Sequence, residues 1–248
     1  MHISMNELKA ALRRCFEACG YFVGNYEDAA NMVLWLEKHG LNGLNELEQA
    51  LPYITQFCDR PLSTVVYEDS TSAIIDSHDR SSLNCIAASV DLAHAKALEN
   101  GIATITVHNC HNRMFILKAL TDCGRRGISV AAYWQSGNET VTEHSAAIRA
   151  DERYPSYSEA ITSLPANTDV KALTIICSSR VDLTTSLQKS RGNIDARHIS
   201  PAQIADNKNQ SVEQGINVNE ALWAEINRIG SAVLVENTRQ SQLEAGGR

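Results

Sequence analysis

The sequence predicts an α+β protein (mixed α/β), with an N-terminal helical layer, a central mixed sheet and a C-terminal helix packed back on it. Three observations predict it. Ser4 to Tyr53 carries three helix-period runs with their starts and stops written in. Residues 72–134 alternate strand, helix, strand, helix, strand, the signature of an α/β unit. A last amphipathic run begins at Val218-Asn219. A single domain is expected over residues 1–240, with a helical layer at 1–60, a strand–helix–strand core at 61–135 and the remaining strands and C-terminal helix at 136–240. The final residues, 241–248, read as a flexible tail.

The first helix opens on a capping box, Ser4 with Glu7, in which each side chain satisfies an orphan backbone N–H of the first turn. Leu8, Leu12, Cys15, Phe16 and Cys19 then share one face, and Gly20 supplies a left-handed stop. Asn25 is the expected cap of the second helix, with Glu27 and Asp28 near its positive end. Ala29, Met32, Val33, Trp35 and Leu36 form its stripe, and Gly40 ends it. A shorter third helix carries Leu44, Leu47 and Leu51 and is expected to stop at Pro52.

Beyond Pro61 the period changes to that of strands. Ser63–Tyr67 and Ser72–Asp76 read as a hairpin around Glu68-Asp69-Ser70. Leu83–Asn100 reads as a long helix closed by Gly101, Ile102–Val107 as a buried strand and His108–Arg113 as a polar loop. Phe115–Asp122 follows as helix, Ile128–Trp134 as strand and Gln135–Asn138 as a turn. Val141–Ala150 fits either strand or short helix. Tyr154–Asn167, with two prolines, is expected to wrap the surface. Val170–Cys177 is a strand, Ser178–Asn193 is open between helix and loop, and Ser200-Pro201 can open a helix. Asn207–Gln214 is polar enough to be a mobile linker. The last helix presents Leu222, Trp223, Ile226, Ile229, Val233 and Leu234.

The formal charge of −7 and the lack of a basic cluster argue against a nucleic-acid surface. No apolar run is long enough to span a bilayer, and the N-terminus lacks the features of a secretory signal. A cytoplasmic, soluble protein is the expectation. The seven cysteines are odd in number and irregularly spaced, unlike a disulfide framework. Cys15 and Cys19, four apart, could chelate a soft metal, but free cysteines are commonly small core residues and no partner pair completes a site. No metal is expected.

The densest polar cluster is His108-Asn109-Cys110-His111-Asn112-Arg113, after the carboxyl end of a strand, where α/β sheets prefer to bind ligands. It suits a small carboxylic acid, with Arg113 clamping the carboxylate, His111 as acid or base, and His108 and Asn109 binding. Against this stands an ordinary polar loop in which Asn109 or Asn112 caps the next helix. Asp76-Ser77-His78-Asp79 is a second cluster, in which Asp76 and His78 are binding candidates and Asp79 or Ser81 is a helix cap. His39 and His144 are lone histidines, for which surface positions are expected. Cys177-Ser178-Ser179-Arg180 lacks the glycines of a nucleophile elbow. No dinucleotide glycine fingerprint, phosphate-binding glycine–lysine loop or His-Glu-x-x-His occurs.

Glu7-Leu8, Gly20, Glu27-Asp28-Ala29-Ala30, Trp35-Leu36, Gly40-Leu41 and Gly43-Leu44, with Leu234-Val235, Ser241 and Ala245-Gly246 at the other end, resemble an uncharacterised bacterial family known only as a domain of unknown function. More distantly, Ile75-Asp76, Ala87-Ala88 to Lys96, Gly101-Ile102 and Val107 to His111 resemble the type-2 malate/L-lactate dehydrogenases over roughly residues 5–135. Those are NAD(P)-dependent enzymes without a Rossmann fold, so the resemblance implies their fold and raises NAD or NADP as a cofactor. The catalytic motifs depart from it. Leu44 stands where the family has its proton-transferring histidine, and leucine cannot exchange a proton. Ser77-His78-Asp79-Arg80 replaces a glycine-rich stretch. Asn109-Cys110-His111 matches Asn-Ser-Asn-His-Phe-Gly only with one residue deleted. The chain is also short for that family and has no counterpart of its later Lys-Gly-Tyr-Gly. The resemblance therefore implies a reduced relative without dehydrogenase activity. The first reading is that it binds a small metabolite or a protein partner through the His108–Arg113 loop, and a homo-oligomer is expected. The alternatives are an NAD(P)-dependent oxidoreductase or other enzyme on a small carboxylic acid, and a structural subunit that pairs through its N-terminal helices.

Overall fold

In a computed structural model, residues 1–56, 61–137, 140–162, 171–184, 197–214 and 216–233 are described. The N-terminal helical layer is α1 (Met5–Ala18), α2 (Val23–Lys38) and α3 (Gly43–Thr55). Ser4 and Glu7 form the reciprocal capping box, with N–H to side-chain oxygen distances of 3.2 and 2.8 Å. The predicted stripe of α1 is fully buried at Leu8, Leu12, Cys15 and Phe16. Each of the three large apolar chains contributes roughly 1.5–3 kcal/mol to stability. Gly20 and Gly40 take the left-handed conformation expected of helix stops.

Two helix boundaries differ from expectation. The second helix starts at Val23, with Phe22 as its cap and no side-chain bond there; Asn25 lies inside the first turn. The third helix runs through Pro52 to Thr55. Pro52 removes one N–H, but Pro52 and Glu48 one turn earlier are both exposed, so water can satisfy the Glu48 carbonyl.

A two-residue strand β1 (His2–Ile3) precedes α1. The main sheet contains β2 (Thr64–Glu68), β3 (Ser72–Ser81), β4 (Ile102–His111), β5 (Ser129–Ser136), β6 (Val141–Ile148), β7 (Ser156–Thr162), β8 (Leu173–Ser178) and β9 (Arg197–Ile199). Their order is β2-β3-β4-β8-β5-β6-β7-β9, with β3 and β4 the parallel pair and every other pairing antiparallel. Because β4 and β5 are both antiparallel to β8, the strands β3, β4 and β5 point the same way and end at one rim. The helices α4 (Ile86–Asn100) and α5 (Ile116–Arg125) cover one face of this sheet. Finally α6 (Pro201–Gln214), β10 (Ile216–Asn217) and α7 (Glu220–Gly230) return to the N-terminal layer. There β10 pairs with β1, and α7 packs on α1. Asn219 caps α7 through its side chain, accepting from the Ala221 N–H at 2.8 Å.

Several further expectations are corrected. A short 3₁₀ turn at Ser82–Asn84 precedes α4, so the long helix starts at Ile86 rather than Leu83. Gln135 and Ser136 extend β5 by pairing with Glu143 and Thr142, and residues 141–148 are strand. Tyr154–Asn167 does not wrap the surface over its described part: Ser156–Thr162 is a sheet strand between β6 and β9. Asn207–Gln214 is helix rather than linker, and Asn207 Nδ2 donates to the His39 carbonyl at 3.1 Å. His39 is 4% exposed, with its ring stacked on Trp35 at 4.3 Å, and is no surface residue. Cys58, most of Ser178–Asn193, Leu234 and the 241–248 tail lie outside the described residues. Among the described residues no helix is long and apolar enough to cross a membrane.

The apolar stripes of α1 and α2 are buried within the chain, leaving Phe22 and Val23 as the large apolar residues exposed at their junction. The α2–α3 crossing depends on Gly43, where a Cβ would meet the Val33 carbonyl at 2.3 Å and the Glu37 nitrogen at 2.6 Å. Gly43→Ala is expected to lower stability by roughly 1–3 kcal/mol, the range for overpacking. Gly24→Ala, with open space around the new methyl, should change it by less than about 1 kcal/mol. Urea melts of the two variants check this, and equal midpoints would contradict the close crossing.

Candidate functional site

The common rim of β3, β4 and β5 carries the candidate residues, and a bulge shapes it. Asp76 pairs with His108 and Arg80 with Cys110, so three residues of β3 stand against Asn109 alone. His78, Asp79, Asn109 and Asn112 all take positive φ, between 50° and 59°. Each such non-glycine residue costs about 1–2 kcal/mol, so the corner persists only because its surroundings hold it.

Asp76 provides the first hold. Its carboxylate accepts from the His78 backbone N–H at 2.8 Å and from Asn109 Nδ2 at 3.0 Å. These bonds, the one to Asn109 foremost, hold its pKa below the usual carboxylate range. His78 reaches toward β2, with Nε2 2.8 Å from Thr64 Oγ1 and Nδ1 3.7 Å from Asp76. Arg80, at the end of the bulge, is 1% exposed, and its charge is felt by Cys19, Tyr21 and Cys85. The bulge is thereby tied to the helical layer.

Asp79 gathers the second set. Lys171 Nζ donates to its carboxylate at 2.7 Å, and His111 Nε2 lies 3.6 Å from it. The His111 ring stacks on Tyr53 of α3 at 3.8 Å. Burial, then the charge of Lys171, lower the His111 pKa, with Asp79 opposing, so the ring is neutral at pH 7. Arg113 Nη1 donates to the Ala172 carbonyl at 3.3 Å, beside Lys171.

The predicted residues thus divide. Asp76, His78 and Asn109 form the buttress of the bulge. His111 and Arg113 meet Asp79, Lys171 and Tyr53 at the rim. His108 lies across from Asp76 in the ladder. The expected His108–Arg113 loop is strand as far as His111, because Arg80 and Ser81 continue the ladder and Cys110 N–H bonds to the Lys171 carbonyl at 2.9 Å. Neither Asp79 nor Ser81 acts as the expected cap: Asp79 bonds Lys171, and Ser81 makes no side-chain cap bond. Ser178 braces its own turn, donating to the Gly101 carbonyl and accepting from the Arg180 and Val181 N–H groups. Cys15 and Cys19 are buried, and among the described residues no group of three or more His, Cys, Asp or Glu could hold a metal ion.

A further set was missed in the sequence. His144, expected at the surface, is 9% exposed and stacks parallel on Trp134 at 5.0 Å. Ser136 Oγ lies 2.7 Å from its Nε2, and Tyr157 Oη lies 2.8 Å from its Nδ1. Tyr157 also donates to Glu159 at 2.8 Å, and Glu159 pairs with Arg197 at 3.2 Å. The ladders place Trp134, His144, Glu159 and Arg197 in one row across β5, β6, β7 and β9. Burial lowers the His144 pKa to about 4, with Glu159 opposing and Arg113 adding to the fall. Arg113 therefore stands within electrostatic reach of both histidines. Glu46 of α3 faces the same set, its pKa raised by burial and then by the charge of Glu159. The period-2 spacing of His144, Ala146 and Ile148 was the available signal, since it puts the histidine on an apolar face.

The profile of a family described as "Protein of unknown function (DUF3726)" matches residues 3–99. No curated protein sequence matches. Among solved structures, malate dehydrogenase from Entamoeba histolytica is similar at TM-score 0.66 and 10% identity, covering 96% of this chain and 99% of that one. Sulfolactate dehydrogenase from Methanocaldococcus jannaschii is similar at 0.67 and 12%, covering 92% and 96%. Δ1-piperideine-2-carboxylate reductase from Pseudomonas syringae is similar at 0.61 and 11%, covering 92% and 99%. This chain has their fold. The likeness expected over residues 5–135 extends to nearly the whole chain. Leu44, in place of the histidine expected from the resemblance, is buried at the start of α3, with its N–H on Glu37 Oε2 at 2.9 Å.

His39 and His144 yield a pH prediction. Both are held near pKa 4 in the folded chain against 6.5 when unfolded. The unfolded state binds the extra protons, so stability falls as pH drops from 6.5 to about 4, by up to about 3 kcal/mol per histidine. The lowered Asp76 and Asp79 act in a lower window, while the raised Asp28 and Glu46 oppose the slope by gaining protons first in the folded state. Urea melts between pH 7 and 4.5 should show this slope, and His39→Gln or His144→Gln should flatten it. Slopes identical to wild type would contradict buried, neutral rings.

Proposed function

We propose that this protein binds a small carboxylic acid at the rim formed by β4, β5 and β8, and that it does not perform the hydride chemistry of dehydrogenases with its fold. Arg113 is the carboxylate clamp, supported by Lys171, and a neutral His111 stands beside the ligand as proton donor or acceptor. The observation that carries this reading is the meeting of two cations and an uncharged imidazole at a strained corner on the carboxyl ends of strands.

The rim fits a nicotinamide dinucleotide poorly. A pyrophosphate calls for glycine backbone N–H groups or a helix N-terminus. Here every residue of the bulge bears a side chain, and two of them are the carboxylates Asp76 and Asp79. Leu44, buried where the resemblance would place a histidine, cannot exchange a proton.

A thermal-shift screen with small 2-oxo, 2-hydroxy and 2-amino acids, and with NADH and NADPH, tests the proposal. At least one acid should raise the midpoint in a concentration-dependent way, as mass action requires, and Arg113→Gln should abolish the rise. A shift with either nicotinamide nucleotide, or none with any acid, would contradict the reading.

A further inference from the structure

The hydrogen-bonded chain behind the rim has a fixed polarity, and that polarity selects a ligand. Glu159, paired with Arg197, is a carboxylate and only accepts. Tyr157 has one proton and gives it to Glu159, so toward His144 its oxygen is an acceptor. His144 Nδ1 must then carry the ring hydrogen. Burial keeps the ring neutral, so Nε2 is a lone pair and the Ser136 hydroxyl donates to it. Ser136 has used its one proton and can only accept from anything else. Stacking on Trp134 opposes a flip of the ring.

Ser136 belongs to the same rim as Arg113. Trp134 pairs with Leu173, the neighbour of Ala172, and Ser136 follows Trp134 on the same face of β5. Arg113 bonds the Ala172 carbonyl there. Glu46 and Glu159 face this end together: burial and then the charge of Glu159 raise the Glu46 pKa, and Arg197 pairs with Glu159. The rim therefore offers a cation at one end, and at the other an acceptor without a spare proton, with Glu46 and Glu159 behind it.

We propose that the ligand is a 2-amino acid bound as its zwitterion, with its carboxylate on Arg113 and its ammonium on Ser136 Oγ in the field of Glu46 and Glu159. A 2-oxo acid brings only acceptors to Ser136. A 2-hydroxy acid brings one donor but no charge. This rests on the carboxylate site proposed above and names its ligand class.

Isothermal titration at pH 7.5 with two matched sets, L-alanine with L-lactate and pyruvate, and L-aspartate with L-malate and oxaloacetate, tests it. In one set or both, the amino acid should bind on the order of tenfold more tightly than its hydroxy and oxo counterparts, the worth of a charge-assisted hydrogen bond. Ser136→Ala should reduce the amino acid to the level of the hydroxy acid, while Arg113→Gln removes binding of all three. Tyr157→Phe, which releases the His144 tautomer, should narrow the preference. An oxo or hydroxy acid binding as tightly as its amino acid in both sets would overturn the proposal and leave the carboxylate site standing. No binding by any of the six would overturn both.

Discussion

The β3–β4 bulge is the constraint on which the site depends. Two parallel strands that pair in step as far as Asp76 and His108 fall out of step by two residues, then resume at Arg80 and Cys110. That excess turns Asp79 toward the rim, where it holds Lys171 and His111. It also sinks Arg80 beneath the helical layer. L-residues there occupy backbone conformations that glycine adopts without cost. The compensation is local: the Asp76 carboxylate satisfies both His78 and Asn109. Strain, charge and the ends of three strands coincide in one place.

The antiparallel insertion of β8 between β4 and β5 joins this corner to the second polar set. Without it, His111 and His144 would belong to separate parts of the chain. With it, Leu173 pairs with Val107 on one side and Trp134 on the other, the Lys171 carbonyl holds the Cys110 N–H, and Arg113 sits between the two sets electrostatically. The rest of the fold supplies support. The α3 helix brings Tyr53 onto His111 and Glu46 toward Glu159, and the close crossing at Gly43 fixes where α3 lies.

Much of the helical layer was legible because its signals are local. The Ser4–Glu7 box and the stops at Gly20 and Gly40 depend on neighbours within one turn. The start of β4 was equally plain from its β-branched run. Boundaries failed where a distant partner decided them: His108–His111 reads as loop chemistry, but Arg80, Ser81 and Lys171 supply ladder partners from elsewhere. The polar face of α6 looked like a linker until Asn207 found the His39 carbonyl. His111 and Arg113 were legible as a dense cluster. Asp79 and Lys171 were not, because nothing local shows that residues 92 positions apart will meet. His144 was readable in principle from the face it shares with Ala146 and Ile148, but its partners Trp134, Tyr157 and Glu159 come together only through the ladders.

The charge and tautomer of the imidazoles at this rim decide what it can bind. Long-range ¹H–¹⁵N correlation of the histidine rings at pH 7, assigned with His111→Gln and His144→Gln, reads both directly. The account predicts a neutral His144 with its hydrogen on Nδ1 and a neutral His111, and a perturbation of His111 when an acid that binds is added. A protonated His144, or one with its hydrogen on Nε2, together with a His111 that no acid perturbs, would contradict it.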